Sequence, residues 1–278
     1  MDLSLPALHR YAQEMRIDII RMLHAAGSGH PGGSLSLIDI LTVTMLKYVG
    51  RTADNVLDPD RNRLVLSKGH GVPALYAVLA RAGVIKHEDL ITLRQIDSPL
   101  QGHPHNVSMP AVEAPTGSLG QGLSIAQGMA MAARLDGSAR RTYCVVGDGE
   151  MQEGQIWEAL LSAAMYKLDN LIVILDYNKG QIDGPTNEII NLEPLAEKLR
   201  AFNWDVQEID GHDVEEIDTA LSNAQRLDGK PHFIIAHTVK GKGVSFMEHP
   251  TEWHGKAPGD ADAQRAIEEL QAQLTKEA

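Results

Sequence analysis

The residues that most suggest chemistry lie in the stretch CVVGDGEMQEGQ, from Cys144 to Gln155, where an apolar run ends in Gly147-Asp148-Gly149. Glycines at a strand end let the backbone come close to a phosphate, and a helix beginning near Glu150 would aim its free amides at the same anion. Asp148 stands between those glycines, where a carboxylate repels a phosphate unless a divalent cation lies between the two. Magnesium takes hard oxygen ligands in octahedral geometry and is shared between a few protein oxygens and phosphates. The next apolar run, NLIVILD, ends near Asn178, which would add an amide oxygen, with a backbone carbonyl just past it as a third donor. Taken alone, the tripeptide reads as a strand-exit turn with Asp148 capping a helix. Asn178 at the neighbouring strand end shifts the reading to a metal-held diphosphate site. A Walker loop is excluded because no Gly-Lys-Ser/Thr follows, and a dinucleotide fingerprint because no third spaced glycine appears.

Four histidines occupy short glycine- or proline-rich settings: His30 in SGHPGGS, His70 in SKGHGVP, His103 in LQGHPHN and His254 in EWHGKAP. Imidazole donates to phosphates or sugar hydroxyls and moves protons near neutral pH. The other histidines read differently. His105 shapes its loop, His212 belongs to a turn before a helix capped by Asp213, and His237 reads as a satisfied core residue in an apolar strand. Lys240 and Lys242, in TVKGKGVSF, could approach a phosphate but read first as a solvated turn, and the Met-rich QGMAMAARL reads as core packing.

The elements that must position these groups follow from periodicity. Helical spacing covers residues 7–25, 35–47, 73–82, 119–135, 156–167, 214–226 and 263–274, and between these lie the β-rich runs RLVLS, TYCVV, NLIVILD, WDVQEID and HFIIAHT. Continuous apolar strands alternating with helices predict an α/β fold with a parallel sheet covered by helices on both faces. With no repeat, linker or composition shift, the reading is one domain over 1–278, with an N-terminal helical and loop region laid against the sheet. Ligands of such sheets bind outside the carboxyl ends of the strands, which is where Asp148 and Asn178 fall.

Composition narrows the function classes. A formal charge of −12 argues against a nucleic-acid surface, so an anionic ligand must be held locally. Cys144, the single cysteine, lies in an apolar run and reads as a buried small hydrophobe, which suits a reducing cytoplasm. The N-terminal MDLSLPALHRYAQEMR has no signal-type apolar core, and the longest aliphatic run is too short to span a bilayer, so no membrane association is expected.

The stretch GDGEMQEGQIWEALLSAAMYKLDNLIVILDYNKGQIDG resembles the Gly-Asp-Gly…Asn signature of thiamine-diphosphate enzymes, and in detail it is similar to transketolase. SGHPGGSLS, SKGHGVPALYA and GHPHNVSMPAVEAPTGSLGQGLSIAQGMAMA resemble further motifs of that family. The resemblance implies thiamine diphosphate with magnesium, or calcium or manganese in its place, held by Asp148, Asn178 and the Gly180 carbonyl. Gly147 and Gly149 would approach the diphosphate, and Glu153 and Ile182 would line the same pocket. His70 and His254 would lie near the diphosphate and the reacting centre, while His30 and His103 would face the substrate. Gly117 and Leu119 would sit beside the aminopyrimidine, and Ser118 between them would also belong to the cofactor site. Two departures stand out: Ser118 where relatives commonly have proline, and Gly180 where many carry a bulky aliphatic that packs on the cofactor.

The resemblance covers almost the whole chain but only the diphosphate-binding domain of that family. It therefore implies a separate C-terminal transketolase subunit that carries the pyrimidine-binding domain and its activating glutamate, in a two-plus-two heterotetramer. The segments 117–127 and 152–161 are the expected contact surface. From its start and its charged helical finish the chain is expected to be a complete subunit rather than a piece of a longer enzyme. The expected reaction moves a two-carbon ketol unit from a ketose phosphate to an aldose. Rival readings are the subunit of a 2-oxoacid dehydrogenase, a deoxyxylulose-phosphate synthase, and a non-catalytic phosphate-binding or scaffold protein.

Overall fold

The computed structural model describes residues 1–248 and 251–277. Five parallel strands form the sheet: β1 (Arg63–Leu66), β2 (Thr142–Gly147), β3 (Leu171–Tyr177), β4 (Asp205–Asp210) and β5 (His232–His237), in the spatial order β1-β2-β3-β5-β4. Among the described residues nine α-helices surround it: α1 (Leu5–Ala26), α2 (Pro31–Val43), α3 (Val72–Arg81), α4 (Gln121–Leu135), α5 (Gly154–Met165), α6 (Thr186–Ile189), α7 (Leu195–Ala201), α8 (Val214–Asn223) and α9 (Asp260–Glu277).

The central strands are buried on both faces, so side chains alternate between two cores. Tyr143, Val145, Ile172, Ile174, Ile234 and Ala236 join the core built with α1, α2, α3, α8 and α9. Their neighbours Cys144, Val146, Val173, Leu175, Phe233 and Ile235 join the core built with α4, α5 and α7. This bears out the parallel sheet with helices on both faces. Cys144 is a buried free thiol, and burial pushes its pKa up, as befits a packing residue.

Every helix read from the sequence is present, with shifted ends. Helix α2 starts at Pro31 rather than Leu35, because proline at a first helical position costs no hydrogen bond and Gly32-Gly33 hide the period. All thirteen residues of α2 are buried, and it runs on into a π-turn over Thr44–Val49. By length and composition Pro31–Val49 is apolar enough to cross a membrane, yet it is 89% buried inside the fold. The short helices α6 and α7 carried no readable periodicity. Asp213 caps α8 as expected, accepting from the amides of Glu215 and Glu216.

Beneath the strand ends, a buried network ties α1 and α2 to the loop after β5. Arg16 of α1 pairs with Asp39 of α2. Asp39 also accepts from His212 Nδ1 at 2.7 Å, and His212 Nε2 accepts the amide of Val239 at 2.8 Å. Burial alone would raise the Asp39 pKa, but Arg16 and His212 hold it down at about 2.

Candidate functional site

The cleft opens at the carboxyl ends of β1, β2, β3 and β5, and encloses a cavity of about 480 Å³. His70 follows β1, Gly147-Asp148-Gly149 ends β2, Asn178 and Gly180 follow β3, and Lys240 follows β5. His30 enters from the start of α2, His103, Gly117 and Leu119 from the long segment before α4, and His254 from a 3₁₀ turn over Thr251–His254. Glu153 and Ile182 line the open side. The four histidines converge: ring centroids lie 5.3 Å apart for His30–His70 and His70–His254, 5.6 Å for His30–His254 and 6.1 Å for His30–His103.

Ser118 is the one predicted site residue outside the cavity lining. It is exposed, on a bend between Gly117 and Leu119, which do line the cavity. His105 stays out of the cavity lining, in its loop, 3.1 Å from Ser108 Oγ. His237 is not a core residue; it ends β5 near half-exposed, 3.4 Å from Glu208. Lys240 corrects the reading of TVKGKG as a solvated turn, for its residue is only 3% exposed. Gly241 explains this. With φ of 80° it turns the chain back so that its amide reaches the Gly32 carbonyl at 3.0 Å, and a Cβ there would lie 2.0 Å from the Met247 carbonyl oxygen.

Three residues that sequence reasoning did not single out organise the floor. Asp176 of β3 is fully buried and accepts from Lys68, from Thr238 Oγ1 and from Ser36 Oγ at 2.6 Å. Burial would raise its pKa, but Lys68 and the two hydroxyls bring it below the usual value. Lys68, in the strand exit SKGH, pairs with it and with the Gly33 carbonyl at 3.2 Å. Glu150, next to the Gly-Asp-Gly turn, accepts from Ser67 Oγ, from the amide of Gly120 at 2.9 Å and from that of Gly147 at 3.1 Å. The adjacency of Glu150 to that turn was the only available signal for it.

Asp148 does not cap the helix after it. Its carboxylate accepts from the Lys179 amide and from that of Gly149 at 2.8 Å, and no 3₁₀ or α-helical amide beyond Gly149 reaches it. Among the described residues no ammonium or guanidinium bonds to it, and burial, then the neighbouring Asp176, push its pKa up to about 7. A buried carboxylate that no side-chain cation bonds, sharing the cavity with Asn178 and Gly180, offers the kind of hard oxygen donors a divalent cation takes. Gly149 presses on Gln181, whose Cβ would lie 2.7 Å from an added Cβ, so only glycine keeps the backbone open there.

Apart from the exposed Glu153 and Asp183, the walls are cationic or neutral. Lys240 Nζ donates to His254 Nδ1 at 2.9 Å, and burial, then Lys68, lower the Lys240 pKa to about 8. Burial and Lys240 lower that of His254 to about 3; burial and Arg94 lower that of His30 to about 4. His70 and His103 shift the same way, first by burial. The four imidazoles are therefore neutral near pH 7. His30 Nδ1 is buried without a partner. At Gly180, a side chain would begin 3.3 Å from Lys240 Nζ, so the lysine stem occupies the space that a bulky aliphatic would need.

Fold and site together define a thiamine diphosphate binding domain. The family model described as "Transketolase, thiamine diphosphate binding domain" matches residues 8–276, and the chain belongs to that family. It is 42% identical over 270 residues to one of the subunits named for apulose-4-phosphate transketolase in Actinobacillus succinogenes, covering 97% of this chain and 98% of that one. To the 6-deoxy-6-sulfo-D-fructose transketolase subunit SqwG of a Clostridium species it is 44% identical over 264 residues, covering 95% and 96%. The crystal structure of transketolase from Campylobacter jejuni superposes with a TM-score of 0.89 at 35% identity; all of this chain is covered but only 46% of that one.

Proposed function

We propose that the chain is the diphosphate-binding subunit of a two-subunit transketolase, which moves a two-carbon ketol unit reversibly from a ketose phosphate to an aldose. The observation that carries this reading is the convergence of His30, His70, His103 and His254 on one cleft with Asp148 and Asn178. Neither a 2-oxoacid dehydrogenase subunit nor a deoxyxylulose-phosphate synthase needs that full set.

Thiamine diphosphate, when bound, supplies the carbanion chemistry. Asp148, Asn178 and the Gly180 carbonyl would hold magnesium, or calcium or manganese in its place. Lys68 and Lys240, already buried in the cleft wall, offset the charge of a diphosphate. Neutral His30 and His103 are suited to accept from and donate to sugar hydroxyls, and His70 and His254 to hold the reacting end. Gly117, Leu119 and Ile182 shape the wall around the ring system.

A second, separate chain would supply the pyrimidine-binding wall and activating glutamate, two copies of each chain forming the assembly. Support comes from the two relatives named as transketolase subunits, whose lengths this chain matches nearly end to end. Exposed Leu161, Met165 and Tyr166 along α5, and Ile182, Ile189 and Ile190 at the cleft's open lip, are apolar surface of the kind an obligate interface covers. Those relatives are named for sugars with an anionic end, and the donor here is assigned to the same class. The reducing cytoplasm is the assigned compartment. The test mixes this chain with its partner, thiamine diphosphate and magnesium and follows transfer from a ketose phosphate. Carbon dioxide release from a 2-oxoacid in place of transfer overturns the proposal.

A further inference from the structure

Away from the cleft, at the amino end of β1, three guanidinium groups share one carboxylate. Glu113 accepts from Arg51, from Arg61 Nη2 at 3.0 Å and from Arg63 Nη1 at 2.9 Å. The Glu113 side chain is 4% exposed and that of Arg51 1%. In a chain of net charge −12, this is a dense, buried concentration of positive charge on a single acid. It lies at the end of β1 opposite the strand ends that form the cleft, and none of its four residues lines that cavity.

Glu113 belongs to residues 93–120, which hold no helix or strand and deliver both His103 and Gly117 to the cleft. A segment of that length without ladder hydrogen bonds must be fixed by individual contacts. Few are present. Thr116 Oγ1 donates to the Leu66 carbonyl at 2.6 Å, and the Thr116 amide to the Pro104 carbonyl at 3.3 Å, which ties the two limbs of the segment together. His103 then packs on Gly117, where an added Cβ would lie 3.2 Å from its ring. Glu113 stands three residues before that tie. Its three arginines are held by the body of the fold: Arg51 and Arg61 donate to the carbonyls of Asn62 and Asp58, and Arg63 opens β1.

We propose that Glu113 is a positioning residue: clasped by Arg51, Arg61 and Arg63, it seats the segment 93–120 on the sheet so that His103 and Gly117 face the cleft. The catalytic consequence rests on the transketolase reading, but the clasp itself does not. A charge is required, because a neutral isostere cannot satisfy three guanidiniums at once.

Hydrogen–deuterium exchange on the full chain, without cofactor, tests the clasp. In Glu113→Gln, peptides within 101–120 should exchange at least about tenfold faster while those of β2 and β3 stay protected. Glu113→Asp, which keeps the charge, should retain most of the protection. Should Glu113→Gln fail to fold, Arg63→Gln decides: it leaves Arg51 and Arg61 on Glu113 and should loosen the same peptides to a smaller degree. Unchanged exchange at 101–120, a uniform rise across the sheet, or a Glu113→Asp chain as loose as Glu113→Gln overturns the proposal. In the reconstituted complex, Glu113→Gln should raise the donor KM and the thiamine diphosphate concentration for half-saturation, with Glu113→Asp rescuing both. A wild-type complex that never takes up thiamine diphosphate would sink the transketolase reading and leave the exchange result standing.

Discussion

The Asp148 carboxylate accepts the backbone N–H of Lys179, so the turn that ends β2 is latched directly to the turn that leaves β3. Asn178, one residue earlier, holds its own amide oxygen 3.1 Å from the Gly180 amide and its nitrogen 3.3 Å from Asp176. Two strand tips are thus prearranged around one point before any ligand arrives, and the organising acids sit in the floor below.

Replacing Asp148 by asparagine should separate binding from folding. The amide keeps the shape and removes a buried charge that no protein cation pairs, so the free chain should melt at the same temperature or higher. Metal-dependent uptake of thiamine diphosphate in the complex should weaken by more than about tenfold, because a charge-assisted contact is worth upwards of about 1.5 kcal/mol. Thermal melts with and without magnesium and cofactor, together with calorimetric titration, read both effects. Cofactor affinity unchanged by the substitution would remove Asp148 from the anchor.

Lys68 and Asp176 form a fully buried pair, and cutting one side should cost more than removing both. Lys68→Met leaves Asp176 charged and desolvated, a loss of about 3–5 kcal/mol in comparable buried pairs. Lys68→Met with Asp176→Asn should recover a large part of it. Urea unfolding of the two single variants and the double variant gives the coupling energy. Additive losses would mean that the pair is not the unit that holds the floor.

What could be read from the sequence divides along a physical line. The central strands were legible because both faces are buried and apolar residues therefore run without interruption, as in Leu171–Leu175. Asp148, Asn178 and the four histidines were legible because each stands in a short glycine- or proline-marked setting whose chemistry is local. Lys68, Glu150 and Asp176 were not, because their meaning comes from partners on other strand ends that no spacing rule links. Lys240 was misread since a Lys-Gly-Lys-Gly run looks solvated; only the fold-back at Gly241 buries it. Ser118 lies on an exposed bend outside the cavity lining, a local geometry that its motif does not encode.

Acid should destabilise the free chain partly through His30. Its folded pKa of about 4 lies below the ordinary value of 6.5, so as pH falls from about 6.5 toward about 4 the unfolded chain takes up a proton that the folded chain refuses. The contribution is present above 6.5 and is lost as pH falls through about 4. Asp148, raised to about 7, acts in the opposite sense over part of that range, so the comparison must be between variants. His30→Gln should show a flatter fall in unfolding free energy between pH 6.5 and 4 than the parent chain. Parallel curves would mean that His30 titrates normally and is not held neutral in the cleft.

His212 supports Lys240 from below, and its two nitrogens have fixed roles. Because Nε2 accepts the Val239 amide, the proton of the neutral ring sits on Nδ1 and is donated to Asp39. Protonation of the ring would cost the Val239 bond, and truncation would strand that amide and leave Asp39 with Arg16 alone. His212→Ala should therefore lower stability by about 1–3 kcal/mol, the cost of leaving a buried polar group unpaired. It should also free the 239–242 loop, so that Lys240 no longer donates steadily to His254. The second effect distinguishes a loop support from a simple packing residue. In ¹⁵N-detected NMR of the parent chain, His212 should show the Nδ1–H tautomer and His254 the Nε2–H tautomer. In His212→Ala, the His254 resonances should broaden or shift while those of His237, on the outer end of β5, stay in place. His254 signals untouched by the substitution would show that Lys240 holds its position without this support.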